Sequence, residues 1–367
     1  MAEPARSIEI GDLRAAVAAN ILTEAQAASI TALADDRAGK RFAMPAEDEP
    51  FEFFKGFSEI FISIGLIILL SGIGAFLFAF GGFAILTMVP LICAGIAWWW
   101  AGYFTLRRRM NLPSMVLAAA FGGGVYLSAL TALAGADAPA RFPLAASFLI
   151  AAFAMALWYR HFRLPFAAFI LGLFVLGAVY TLTASADALT GFAVGGPVGL
   201  VGLFDLRNSP QFAMATLAFG LAAFIVGMWF DSRDPYRLGR HAATAFWLHL
   251  LAAPALVNTV ALTLYNVGGT RGAVTLAFSL VVIAALALII DRRSFLTAAI
   301  GYIAIVISWI VQGRGDADFS SWSLILIVLG AFLTALGTWW VPLRSGLMRA
   351  LPDFPGKSRL PPYSETP

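Results

Sequence analysis

Charge is what this sequence has least of. Only 12% of its 367 residues are Asp, Glu, Lys or Arg, about half the share of an ordinary soluble domain. Of these, 16 fall in residues 1–56 and 6 in residues 342–367, so the 285 residues between carry 23. That excludes the two or three solvated domains that length alone would suggest. Cysteine is nearly absent too. The one example, Cys93, lies in an apolar run, so no intrachain disulfide can form. The first twenty residues lack a basic start followed by an apolar core and do not read as a cleavable signal peptide. Catalytic motifs are missing: there is no HExxH, no P-loop, no nucleotide-binding glycine fingerprint and no cysteine pair. No catalytic residue, metal ligand or cofactor site is assigned, and an intramembrane enzyme is the least favoured reading.

What is present is apolar length. Ten segments are long enough to cross a bilayer: 57–80, 83–104, 114–135, 142–159, 165–185, 211–230, 241–265, 272–290, 294–312 and 320–341. The expected fold class is therefore all-α, a polytopic transmembrane bundle of about ten helices. Residues 1–50 read as a small helical hairpin and an acidic linker. Leu13, Val17 and Ile21 recur at helical spacing, and Thr23 can cap a second helix holding Ile30 and Leu33. Residues 51–341 form the bundle, and 342–367 a Pro-rich tail.

A repeated boundary orients the array. It runs from apolar to aromatic to arginine: Trp98-Trp99-Trp100 to Arg107-Arg108-Arg109, Trp158-Tyr159-Arg160, Trp229 to Arg233, and Trp339-Trp340 to Arg344. A copy at Asp291-Arg292-Arg293 lacks the aromatic. The loops after even segments hold ten basic residues and the alternate loops four, namely Arg141, Arg207, Arg271 and Arg314. Excess basic charge marks the cytoplasmic side, so both termini are expected there. Seven of the ten tryptophans sit at the ends of even segments, where an interfacial aromatic belt is expected. Arginines dispersed at helix ends account for the +3 net charge by topology, so the expected partner is the lipid bilayer and not nucleic acid. Glycines seven apart (Gly65/Gly72, Gly95/Gly102, Gly220/Gly227, Gly330/Gly337) share helix faces and are expected to let helices approach closely.

Few residues point to chemistry. Glu59 is the only charge inside the ten spans. It is either an ion or proton site or a carboxylate reaching headgroup water. His249 lies about 12 Å along its helix, with Pro254 following; it either forms a ligand site, as a kink and a polar group can, or is a neutral histidine bonded to a neighbouring helix. Other polar residues gather in the outer halves of odd segments: Ser128 and Thr131, then Tyr180 and Thr181, then Asn258, Thr259, Thr263 and Asn266. They either join helices or line a cavity. Residues 186–210 are glycine-rich and read as a re-entrant segment or a simple loop.

The helical pair Leu13-Arg14-Ala15-Ala16-Val17 through Ile21-Leu22-Thr23-Glu24-Ala25-Gln26-Ala27, with the glycine-rich hairpin 64–82, resembles bacterial polytopic membrane proteins carrying the domain of unknown function 2157. That resemblance implies a bacterial inner-membrane protein and carries no activity. Two functions are expected. One is transporter-like handling of a small polar or amphipathic solute, with His249 at the base of a cavity among segments three, five and seven. The other is a scaffold or sensor whose residues 1–50 dock a cytoplasmic protein.

Overall fold

The computed structural model describes residues 21–37, 56–79, 85–135, 137–185, 203–235, 240–293 and 319–361, with single residues beside these. Within them the chain is helical, without strands. In order the helices are α1 (Glu24–Arg37), α2 (Phe57–Ala79), α3 (Ile85–Ala101), α4 (Asn111–Leu133), α5 (Arg141–Phe162), α6 (Pro165–Thr183), α7 (Pro210–Asp231), α8 (Arg240–Tyr265), α9 (Gly269–Ile290), α10 (Phe319–Thr338) and α11 (Trp340–Ala350). A π-helical turn, Gly102–Arg107, extends α3. Among the described residues eight helices, α2 to α9, are long and apolar enough to cross a membrane. They coincide with the first eight expected segments. The ninth, 294–312, lies outside the described residues apart from Phe295, as do residues 186–202. The tenth corresponds to α10. Residues 340–350, expected as the end of that span and the start of a tail, form α11.

Local signals set the ends. Thr23 Oγ1 accepts from Gln26 N at 3.2 Å while Gln26 Oε1 accepts from Thr23 N at 3.0 Å, a reciprocal capping box that starts α1. Proline occupies the first position of α6 and α7, where its missing N–H costs nothing. Every positive-φ residue other than glycine among the described ones (Arg109, Arg163, Arg237 and Asp291) lies in a turn at the arginine-rich end.

The helices form two cores. One joins α2 to α6 around Leu117, Met155, Trp158 and Phe162. The other joins α7, α8, α9 and α11 around Ala252, Val257, Leu276 and Trp340. The seam runs along α8. Trp247 packs on Phe166 and Phe169 of α6 (ring centroids 4.8 and 5.2 Å), and Tyr159 of α5 meets Thr244 at 3.2 Å. Of the most apolar stretch of α8, 67% is buried, against 17–33% in the other seven helices. Its alanines explain this. Ala242, Ala245, Ala252 and Ala253 are fully buried, and small side chains let helices close in from several sides. The helix runs through Pro254 without a break.

The glycine pairs divide. A Cβ on Gly220 would come within 2.9 Å of Leu256, and one on Gly227 within 2.9 Å of His249, so this pair is the groove that seats α8 on α7. Among the described residues, Gly65, Gly72, Gly95, Gly102, Gly330 and Gly337 meet nothing within 4 Å. The tight approaches elsewhere use Gly122, Gly124, Gly172 and Gly177, which the seven-residue spacing does not select. The tryptophan belt divides as well. Trp99, Trp229 and Trp339 are exposed, whereas Trp158 and Trp340 are buried. Trp158 is enclosed by Trp98, Phe121 and Phe162, and Trp340 is drawn in by a hydrogen bond described next.

Candidate functional site

A network of buried charge lies where α7, α8, α9 and α11 meet at the arginine-rich end. It begins at the close of α9. Arg292 N bonds Ala287 O at 2.9 Å and Asp291 N bonds Leu288 O at 3.3 Å, with Asp291 left-handed at φ 56°. That is a Schellman ending. It is built on Asp, one of the few side chains that tolerate the left-handed region. The turn sends consecutive residues to different partners.

Arg292, fully buried, reaches Asp231, the last residue of α7. Its Nε donates to Oδ2 at 3.1 Å, its Nη2 to Oδ1, and Nη2 also to Ala242 O at 3.3 Å. His249 Nε2 shares Oδ2 at 2.9 Å. The ring lies on Gly227, between Phe224 and Phe295 (centroids 5.5 and 5.9 Å). Asp291 takes the other direction. It accepts from Trp340 Nε1 at 2.6 Å and pairs with Arg237 Nη1 at 3.2 Å and Arg344 Nε at 3.6 Å. Its backbone carbonyl accepts from Arg237 Nη2. Arg344 also donates to Leu288 O at 3.1 Å and to Pro361 O at 2.6 Å, which fastens the C-terminal segment onto the bundle. Burial pulls the Arg344 guanidinium below its ordinary pKa, and the Asp291 charge opposes this.

Three guanidinium groups thus face two carboxylates and one imidazole. Bidentate pairing of this kind is among the strongest in proteins. It offsets the several kcal/mol per ion of desolvation only when the remaining polar atoms are also satisfied. Among the described residues His249 Nδ1 and Arg292 Nη1 have no hydrogen-bond partner. Beside the network, Phe224, Phe295 and Ile290 also line a cleft of about 450 Å³ between α7, α8 and α9. Leu256, Val260 and Phe278 also line it, and among the described residues Ser279 is the only polar one in its wall. The cleft therefore suits an apolar body, and it lies one step along the bundle from the place expected among segments three, five and seven.

The other candidates bind the protein to itself. Ser128 donates to Thr87 O at 2.8 Å and Thr131 to Leu86 O at 3.4 Å. Pro90 stands within α3. A proline at that position has no N–H for Leu86 O, so the α4 hydroxyl supplies it. Thr181, Thr259 and Thr263 donate to the carbonyls of Gly177, Ala255 and Thr259 at 2.7, 2.9 and 2.8 Å. Tyr180 packs on Phe212 at 4.6 Å, and Asn258 is half-buried. Asn266 and Thr263 hold the loop before α7. Asn266 Nδ2 donates to the buried Asp205 Oδ2 at 2.9 Å, and Leu206 N donates to Thr263 Oγ1 at 3.1 Å. None of these lies beside His249. Glu59 is buried and accepts from Asn111 N and Leu112 N, both at 3.1 Å. It caps α4 from α2, with a carboxylate at the positive end of the helix. His161 and His241 stack on Trp98 and Phe230.

Of the network, sequence reasoning singled out only His249 as a site residue and read Asp291, Arg292, Trp340 and Arg344 as boundary residues. The signal available for Asp231 and Asp291 was position: each is an acid at the end of an apolar segment on a side otherwise populated by arginine. Among the described residues no group of three His, Cys, Asp or Glu is placed to hold a metal ion. No family model matches the chain, and no curated protein or solved structure matches it.

Proposed function

We propose that the chain is a bacterial inner-membrane protein of transporter type that handles a small amphipathic solute, with both termini in the cytoplasm. One observation carries this reading. The 450 Å³ apolar cleft and the buried charge network share Phe224 and Phe295, which line the first and pack on His249 of the second. A solute whose apolar body fills the cleft presses on those two rings and so bears on the network. Intramembrane ionisable groups commonly mark such pathways. In this reading Asp231, His249 and Arg292 hold the cytoplasmic ends of α7, α8 and α9 together when the cleft is empty.

The test is a thermal-stabilisation screen of the purified chain with medium-chain carboxylates, alkylamines and aromatic amino acids. A compound at a hundred times its dissociation constant stabilises by about 2.7 kcal/mol. Val260→Phe, which fills the cleft, should abolish that shift while the unliganded melting temperature stays close to the parent's. If no compound stabilises, or stabilisation is unchanged in Val260→Phe, the reading is wrong.

A second reading, a scaffold or sensor that docks a cytoplasmic protein, is favoured by the N-terminal segment. Ile21, Ile30 and Leu33 are 75%, 39% and 52% exposed. Deleting residues 1–45 should then abolish capture of that partner while membrane insertion persists. Capture that survives the deletion excludes it.

A further inference from the structure

Some arginines of the second half are buried, whereas Arg233 and Arg240 there stay exposed. In the second half Arg237, Arg292 and Arg344 turn inward to Asp231 and Asp291. In the first half Arg107, Arg108, Arg109, Arg160 and Arg163 are all exposed. Among the described residues none of these five has a carboxylate partner, and only Arg108 finds a side chain, the Tyr103 hydroxyl at 2.9 Å. They stand on adjoining helix ends. Trp98 of α3 packs against Trp158, His161 and Phe162 of α5 at 5.5, 5.3 and 4.9 Å, and the π-helical turn that leads to Arg107 touches α5. Arg109 and Arg163 are both held left-handed at φ 52°, a conformation that costs a non-glycine residue free energy.

Below them the surface is apolar. Trp99 is 75% exposed, Phe153 67% and Leu157 48%. A phosphate held by arginines above an aromatic and aliphatic wall is the chemistry of a phospholipid headgroup with its chains on the wall. Basic pockets between transmembrane helices bind such headgroups, and guanidinium groups grip phosphate bidentately.

We infer that the ends of α3 and α5 form a binding site for an anionic phospholipid, with Arg107, Arg109, Arg160 and Arg163 as its phosphate ligands. This rests on the membrane reading of the eight apolar helices. The full chain is placed in phosphatidylcholine nanodiscs, and exchange of phosphatidylglycerol is followed by native mass spectrometry. The parent should retain phosphatidylglycerol at least tenfold over phosphatidylcholine. Replacing Arg107, Arg109, Arg160 and Arg163 by Gln should remove that preference. A control loses the same four charges elsewhere, with Arg233, Arg240, Arg349 and Arg359 replaced by Gln, and should keep it. Equal loss in both variants, no preference in the parent, or displacement of phosphatidylglycerol by millimolar inorganic phosphate would each overturn the site. A chain that fails to enter the nanodiscs overturns the membrane reading and the site with it.

Discussion

Asp231→Ala is expected to destabilise the folded chain by about 3–5 kcal/mol, the range for breaking a buried ion pair from one side. The substitution removes both oxygens that Arg292 uses and, among the described residues, the only hydrogen-bond partner of His249. Arg292 has no exposed surface and among the described residues would keep a single side-chain hydrogen bond, to Ala242 O at 3.3 Å. Its charge can neither reach water nor leave, because arginine does not deprotonate in proteins. The double variant Asp231→Leu with Arg292→Met should recover most of the loss, since apolar replacement of a whole buried pair is often neutral. Equilibrium unfolding by SDS in mixed micelles measures both. A single variant within about 1 kcal/mol of the parent would show that the network is not holding α7 to α9, by the same argument.

Gly124→Ala is the second. The added methyl would stand 2.5 Å from Pro90 O and 3.0 Å from Ala94 Cβ. A carbonyl oxygen in a helix cannot step aside as a leucine tip can, so α3 and α4 must part. Overpacking of this kind costs about 1–3 kcal/mol. Parting the helices also stretches the Ser128 and Thr131 bonds to Thr87 O and Leu86 O, which makes the upper part of that range the expected value. The neighbouring Gly123 is the control. Nothing lies within 4 Å of its would-be methyl, and alanine favours a helix over glycine by up to about 1 kcal/mol. Gly123→Ala should therefore leave stability unchanged or raise it, in the same unfolding measurement. Equal effects at the two positions would mean that the α3–α4 contact is looser than described.

The helices were legible because a backbone in hydrocarbon has no water to bond and must satisfy itself. The apolar runs at 57–80 and 241–265 accordingly reappear as Phe57–Ala79 and Arg240–Tyr265. The direction of a side chain at a helix end is a different matter. Arg160 and Arg292 both follow an apolar run by a residue or two, yet one is exposed and the other has no exposed surface. The difference is made by Asp231, 61 residues from Arg292, and no local pattern contains it. Glycine spacing failed for a related reason. Gly65/Gly72 and Gly220/Gly227 have the same spacing, and among the described residues only the second pair has a helix laid against it. The hydroxyls of Ser128 and Thr131 could be read as joining helices, but their purpose became clear only with Pro90 opposite them.

The turn that splits Asp291 from Arg292 also bears on how the chain is made. Arg292 can be neutralised as soon as it emerges, because Asp231 and Ala242 precede it. Asp291 must wait for Trp340, 49 residues later, and Arg344 for Pro361, a further 17 beyond itself. Arg237 therefore spends that interval with its carboxylate not yet fixed in place. The basic end of the second half is finished in the order in which the ribosome delivers it, with Trp340 and Pro361 arriving after the arginines and acids before them.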